Sequence, residues 1–486
     1  MGRHTRQDRR IRARNTSTDE RTIEMPAQVD PARRASASAS LWDFGQTYFA
    51  HRFTLPSCGA HRELAADLHA IVTVGGNIAR VLPRGSAKTT WMEIAALYAV
   101  LYGLRRYVVA VSGTAEMADE LLGRIRAEIE TNDMLLADFP EACQPVRALE
   151  GAPQRAKTML AVGHGWEGAE PIGFEWRSSR IVFPRVPASV CSGSVIVTRG
   201  IEGNLRGLMH KLPSGESVRP ELVLVDDPQT RESAGSPMQC KQRIDIINGD
   251  LLGMAGPHRR IAAMVAATII RRGDVADQLT DPKLCPAWSG KRVPMVLSWS
   301  SAHDTLWMTD YAAIRKDAQR AGDATAADAT AFYLANRAEM DSGGSVYWPD
   351  RHNADEVSGL QHAYNLLIDR GESVFFAEYQ NDPKPVQALG WELTPEDVCS
   401  HVSGVQRGKC PDACETLIMG CDVNPSYGLN WVVTAWTPDG AGYVIDWGKY
   451  PSNDAPIWNA KSSTVTEEQA IFAAVVAVFN DVVLGR

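Results

Sequence analysis

Apolar residues along this chain fall into short unbroken runs separated by longer stretches with helical spacing. Between residues 78 and 300, the runs 79–82, 107–112, 222–225 and 263–268 are short and mainly apolar, as strands covered on both faces must be. Between them, 90–102 and 115–130 carry apolar residues at helical spacing, and Glu116, Asp119 and Glu120 sit near the start of the second, where the helix dipole favours acids. Alternation of this kind predicts an α/β fold, a doubly wound parallel sheet with covering helices. The segment 301–385 is mixed and helical in parts, including the alanine-rich stretch 321–338, and reads as a connector. Three short strands follow at 417–421, 430–436 and 442–446, with Pro438-Asp439-Gly440 turning the second into the third, and then a helix at 464–479.

Length and charge refine this picture. A chain of 486 residues exceeds what one hydrophobic core serves, so several domains are expected. Their boundaries are placed at 1–40, 41–300, 301–405 and 406–486. The first of these carries Arg3, Arg6, Arg9, Arg10, Arg12 and Arg14, then a Ser/Ala run, with few aliphatic residues to bury; it reads as a disordered basic arm, or as a start assigned too far upstream of Met25. The net charge of -8 leaves no chain-wide positive field, so any nucleic-acid contact must come from local basic patches. Nine cysteines, an odd number spread over a long chain, exclude a disulfide scaffold and point to reduced thiols in a cytoplasm. No apolar run approaches the roughly 20 residues that cross a bilayer, so no membrane partner is expected.

The strongest chemical signal is Pro83-Arg84-Gly85-Ser86-Ala87-Lys88-Thr89-Thr90, between a predicted strand and a predicted helix. A loop there can aim backbone N–H groups at phosphate oxygens while a lysine neutralises the β and γ phosphates and a hydroxyl holds magnesium. Lys88 and Thr89 suit those two roles. With Lys88 in the lysine slot of G-x-x-x-x-G-K-[ST], however, the glycine slots hold Leu82 and Ala87. Gly85, Ser86 and Ala87 still permit a close backbone approach, and Arg84 adds a second cation. An ordinary helix start is the competing reading of the octet.

That competitor weakens at Leu222-Val223-Leu224-Val225-Asp226-Asp227, an apolar strand ending in two carboxylates. Ligands of open α/β sheets sit at the carboxyl ends of the strands. Asp226 can therefore reach a magnesium bound to Thr89, and Asp227 can orient or deprotonate an attacking water; two helix-capping aspartates in a turn are the alternative. Val111-Ser112-Gly113-Thr114-Ala115-Glu116, and Thr268 followed by Arg271 and Arg272, are strand ends that could sense nucleotide state, or plain caps and surface charges.

The order of these pieces resembles the large terminase subunit of tailed phages, an ATP-driven motor and nuclease that packages DNA. The resemblance runs from about residue 41 to the end. It rests on 53–64 with His61, the loop 83–90, Ser112-Gly113-Thr114, Arg199-Gly200, Arg206-Gly207, Asp226-Asp227, Thr268, Phe376-Ala377-Glu378-Tyr379-Gln380-Asn381-Asp382-Pro383 and Gly420-Cys421-Asp422. An arginine ahead of the loop lysine, with the loop glycines missing, is typical of that family, and the resemblance gives Arg84 the role of stabilising γ-phosphate charge. It implies a P-loop ATPase domain at 41–300, and a ribonuclease-H-like domain at 406–486 with Asp422 as its first metal ligand, holding Mg2+ or Mn2+. The second Walker B acid is usually glutamate and here is Asp227, a shorter reach. Asp446 and Asp481 are further acids, but related nucleases draw another carboxylate from beyond Arg486, so the nuclease domain is expected to be incomplete.

The resemblance further implies ATP and Mg2+ as cofactors, and double-stranded DNA, a terminase small subunit and a portal protein as partners. It implies a homo-oligomer on the portal, in the cytoplasm of an infected or lysogenic bacterial host. A stand-alone helicase-like translocase, which needs a second ATPase-type domain after Ser300, and an inactive prophage remnant are the alternatives. Cys399, His401, Cys410, Cys414 and Cys421 are poorly spaced for zinc and read as ordinary thiols and a surface imidazole. For His61, nucleotide contact and helix capping both stand.

Overall fold

The computed structural model describes residues 22–163, 168–257, 259–384, 399–424, 428–453, 455–458 and 464–484. The chain divides into two units, Met1–Val386 and Gln387–Arg486. The first is organised by an eight-stranded sheet of β1 (Asn77–Val81), β2 (Tyr107–Ser112), β3 (Glu175–Trp176), β4 (Arg180–Val182), β5 (Val195–Gly200), β6 (Leu222–Asp226), β7 (Ala262–Ala267) and β8 (Ser289–Arg292). Their order is β8-β1-β7-β6-β2-β5-β4-β3. Neighbours are parallel from β8 to β5, and β4 and β3 are added antiparallel.

Successive strand residues point to opposite faces, so a strand that is apolar throughout must be covered on both. That is the case here. Val108, Ala110, Leu222, Leu224 and Met264 join one core with Leu68 of α1 (Gly59–Thr73), Trp91 and Leu97 of α2 (Lys88–Leu101) and Leu122 of α3 (Ala115–Thr131). Their alternates Val109, Val111, Val223, Val225 and Val265 join a second core with Ile247, Leu251, Val275 and Leu279 on the other face. The expected doubly wound parallel sheet is therefore present, and the expected strands and helices fall where the apolar pattern put them.

Two of the expected boundaries are corrected. Residues 22–40 are not a disordered arm: Thr22–Met25 is a strand paired in parallel with Leu160–Gly163, and Pro31–Ala37 is a helix whose N-cap Asp30 accepts from the Arg33 amide at 2.8 Å. Arg33 donates to Asp138 at 2.6 and 2.8 Å, and Arg34 to Glu141 at 2.8 Å. The arginines looked solvated because their acids lie about a hundred positions away. The six arginines from Arg3 to Arg14 lie outside the described residues.

The segment after residue 300 is not a bare connector either. It has its own aromatic core, in which Trp307 stacks on Tyr364 at 4.1 Å with Tyr311, Tyr333 and Phe375 around them, and it belongs to the first unit, which ends at Val386 rather than 405. Its elements include helices Ala312–Arg320 and Ala327–Ala335, α4 (Gly359–Arg370) and α5 (Glu372–Glu378). No second parallel sheet follows it among the described residues, so the helicase-like alternative lacks there the ATPase-type domain it needs.

The second unit is an antiparallel sheet in the order β9 (Thr416–Asn424), β10 (Gly428–Trp436), β11 (Gly442–Tyr450), followed by α6 (Glu467–Phe479). Val478 of α6 packs with Leu429 and Trp431 of β10. Among the described residues no helix is long and apolar enough to cross a membrane.

Candidate active site

The lysine loop leaves the carboxyl end of β1 and enters α2 through two left-handed residues, Gly85 at φ +78° and Ala87 at φ +53°. Ala87 thus adopts at the second glycine slot the backbone that glycine favours there, at a strain of about 1 kcal/mol for a residue with a Cβ. Gly85 cannot carry a side chain comfortably, because a Cβ would come within 3.0 Å of the Arg351 guanidinium. Ser86 closes the loop on itself: its buried Oγ lies 2.6 Å from the Pro83 carbonyl, to which it donates, and 2.7 Å from the Tyr347 hydroxyl.

Lys88 opens α2 and is buried; its Nζ donates to the Leu82 carbonyl at 2.9 Å and to Thr268 Oγ1 at 2.7 Å. The next residue, Thr89, donates its hydroxyl to Asp226 Oδ2 at 2.7 Å across 137 positions of sequence. Burial pulls the Lys88 ammonium below its ordinary pKa, against Asp227 and Asp226, which favour the charge. Burial, then repulsion from Asp227, pushes Asp226 up to about 7, against the Thr89 hydroxyl and Lys88. Asp226 Oδ1 is buried with no hydrogen-bond partner among the described residues. An orphaned carboxylate oxygen beside a hydroxyl is the hard oxygen donor set that suits Mg2+.

Asp227 follows the end of β6 at φ +41°, and its Oδ1 accepts from the Thr268 amide at 3.1 Å. Thr268, one residue past β7, therefore bonds to both the lysine and the second acid. Gly113 donates to the Asp227 carbonyl at 3.2 Å, and Thr114 caps α3 by accepting from the Met117 amide at 3.3 Å. Of the two arginines after Thr268, Arg272 reaches away to the Pro383 carbonyl at 2.9 Å.

Several residues at this edge were not assigned a role from sequence. Glu378, at the end of α5, accepts from Arg84 Nη1 at 3.4 Å and Arg231 Nη2 at 2.6 Å, and its carbonyl accepts from the Arg84 amide at 2.9 Å. Arg351 donates to the Arg84 carbonyl at 2.6 Å and to the Tyr347 hydroxyl at 2.9 Å. Asn381 accepts from the Ile269 amide at 3.4 Å and donates to the Val293 carbonyl at 2.8 Å. The stretch 376–383 thereby staples the helical layer to the strand ends. Its sequence held the signal for Glu378 and Asn381; for Arg231, Tyr347 and Arg351 no local pattern existed.

His61 caps α1. Its Nδ1 accepts from the Cys58 amide at 3.1 Å, and its ring stands edge-on to Trp348 at 4.4 Å between centroids. Burial lowers its pKa from 6.5 to about 4, the Ser86 backbone opposes the shift, and the Arg351 cation adds to it. The unfolded chain thus binds this proton first, so stability is full above pH 6.5 and is lost as pH falls from 6.5 towards 4. The loss from this group is expected to reach about 3 kcal/mol. Urea unfolding across that range should show it, and His61→Gln should flatten the slope; an unchanged slope would remove the assignment.

In the second unit, β9 continues beyond Cys421 to Asn424, so Asp422 lies inside the strand, exposed and opposite Asn430. Asp446 lies opposite Val433, three positions further along β10, and so projects from the other face of the sheet. It is buried and accepts from Arg407 Nε at 2.7 Å. The register therefore does not bring these two acids together. Among the described residues no group of three or more His, Cys, Asp or Glu side chains is placed to hold a metal, at Asp422 or at the cysteines 399–421.

No family model matches the chain, and no curated protein does. Solved structures similar in fold include the large terminase of a thermophilic bacteriophage, at 7% identity and TM-score 0.32, covering 88% of this chain and 75% of that one. The HK97 bacteriophage large terminase matches at 13% identity and TM-score 0.35, covering 84% of this chain and 66% of that one. The large terminase ATPase domain of Thermus phage P74-26 matches at 13% identity and TM-score 0.26, covering 65% and 92%. These carry the family name that the sequence resembles; overlap this loose carries no functional argument by itself.

Proposed function

We propose that this chain is the large subunit of a phage terminase, an ATP-hydrolysing motor that drives double-stranded DNA into a procapsid. The observation that supports the ATPase most directly is the Thr89–Asp226 hydrogen bond beside the buried Lys88 amine, all at the carboxyl edge of the parallel sheet. Lys88 and Arg84 bind β- and γ-phosphate oxygens, and the loop 83–90 cradles them from the start of α2. Magnesium, when bound, supplies charge neutralisation across those phosphates, and Thr89 and Asp226 would hold it. Asp227 orients the attacking water, with Oδ1 anchored by the Thr268 amide. The small subunit, the portal and a homo-oligomer assembled on the portal are the partners of this reading, in the cytoplasm of the host. Asp422 is its nuclease carboxylate, one ligand of a site that needs others.

A DNA contact finds support at the opposite edge of the sheet. Two adjoining cavities of about 650 Å3 each share Arg105, Arg259 and Arg260, with Arg219 lining one of them. All four arginines precede the amino ends of β2, β6 or β7. Arg259 is paired with Glu221 at 3.2 Å, whereas Arg219 and Arg260 have no acidic partner among the described residues. In a chain of net charge -8, this is the kind of local patch that a phosphodiester backbone requires. Duplex DNA is expected to stimulate ATP turnover, and Arg219→Ala with Arg260→Ala to make log affinity against log salt shallower by about 2 with basal turnover intact. An unchanged slope would clear this patch of DNA contact; absence of DNA-stimulated turnover would sink the motor.

A further inference from the structure

The carboxylate of Glu378 is 13% exposed, yet it draws in two arginines that are 67% and 69% exposed, Arg84 and Arg231. A third, Arg351, lies over the loop at Gly85 and donates only to neutral oxygens, the Arg84 carbonyl and the Tyr347 hydroxyl; it has no acidic partner among the described residues. Three guanidinium groups thus surround one carboxylate. The cluster faces the lysine as well, since Glu378 and Arg351 both act on the charge of the Lys88 amine.

We propose that Arg231 and Arg351 bind the terminal phosphate of the triphosphate together with Arg84, and that Glu378 is the anion which this phosphate displaces. The inference rests on the ATPase reading. A guanidinium fork accepts a carboxylate or a phosphate in the same planar geometry, and the phosphate brings more charge and more acceptor oxygens. The γ-phosphate and Glu378 therefore compete for the same donors, while a diphosphate ends short of them. The competition has a mechanical reach. Glu378 closes α5, and the residues just after it, Gln380 and Asn381, bond to Val296 and to Ile269 next to Thr268. Displacing the carboxylate loosens α5 from the loop only when the third phosphate is present.

The competition is tested by the sign of two substitutions in the full chain, read as equilibrium binding of a fluorescent non-hydrolysable ATP analogue and of fluorescent ADP. Glu378→Gln is expected to tighten the ATP analogue about threefold, the scale of an exposed ion pair, with ADP unchanged. Arg351→Gln is expected to weaken the analogue about tenfold, the worth of one hydrogen bond to a charged group, with ADP again unchanged. Arg351→Lys should restore part of that loss. A purely structural role would move both nucleotides together and both substitutions in the same direction, and that result would overturn the inference. If wild type binds both nucleotides but neither variant separates ATP from ADP, this inference falls alone; if wild type binds neither, the ATPase reading falls with it. Thermal unfolding of each variant identifies one that fails to fold, and Glu378→Asp, which keeps the charge and should leave the ATP-to-ADP ratio near wild type, then carries the test.

Discussion

Lys88→Ala should abolish ATP turnover, with kcat falling about a thousandfold or more, as when a preorganised group facing developing charge is removed. The amine is buried and fixed by the Leu82 carbonyl and Thr268 Oγ1, so no solvated neighbour stands ready to replace it. Its loss also leaves Asp226 and Asp227 facing each other without the cation that favours their ionisation, which raises Asp226 further. Binding of phosphates and the ionisation of the metal-binding acid should therefore fail together. Phosphate release by the purified full chain, beside a thermal unfolding curve to show that it is folded, checks this. Lys88→Met, which keeps most of the stem's volume, separates lost charge from lost packing. Turnover retained by either folded variant would remove the phosphate-loop assignment and with it the motor.

The second large effect is expected at the Thr89–Asp226 pair. Each of Thr89→Ala and Asp226→Asn should lower magnesium-dependent turnover by about a hundredfold to a thousandfold. The double variant should be little worse than either single one, because residues that act on one ligand lose their effect together. The geometry behind this is the 2.7 Å bond between the two side chains and the unpartnered Asp226 Oδ1. Steady-state rates across a magnesium titration, for wild type, both single variants and the double variant, read the coupling directly. Chelation of the metal should silence wild type. Losses that multiply in the double variant would mean that the two side chains do not share an ion.

Much of the site was legible in the sequence because its parts lie at the ends of periodic segments. The runs at 79–82 and 222–225 reveal strands by composition alone, and in an open parallel sheet whatever follows such a strand stands at the ligand edge. Lys88, Thr89, Asp226 and Asp227 could be named for that reason, and Ala87 could be seen to occupy a glycine slot. The acids of the second unit were less legible. Asp422 and Asp446 each sit on an expected strand, but which face a strand residue takes depends on register with its neighbour, and one position of difference sends it to the opposite side.

The sequence by itself determined the alternation of strands and helices, the two-faced burial of the central sheet and the residues at its carboxyl edge. These follow from periodicity and local backbone chemistry, which act over a few residues. Only the tertiary structure decided that Arg33 and Arg34 belong to Asp138 and Glu141 rather than to a solvated arm. It alone decided that Glu378 holds Arg84 and Arg231, and that Arg351 lies against the loop. Charge pairs between distant segments leave no periodic trace, because a carboxylate is matched by whichever cation the packed cores bring within reach.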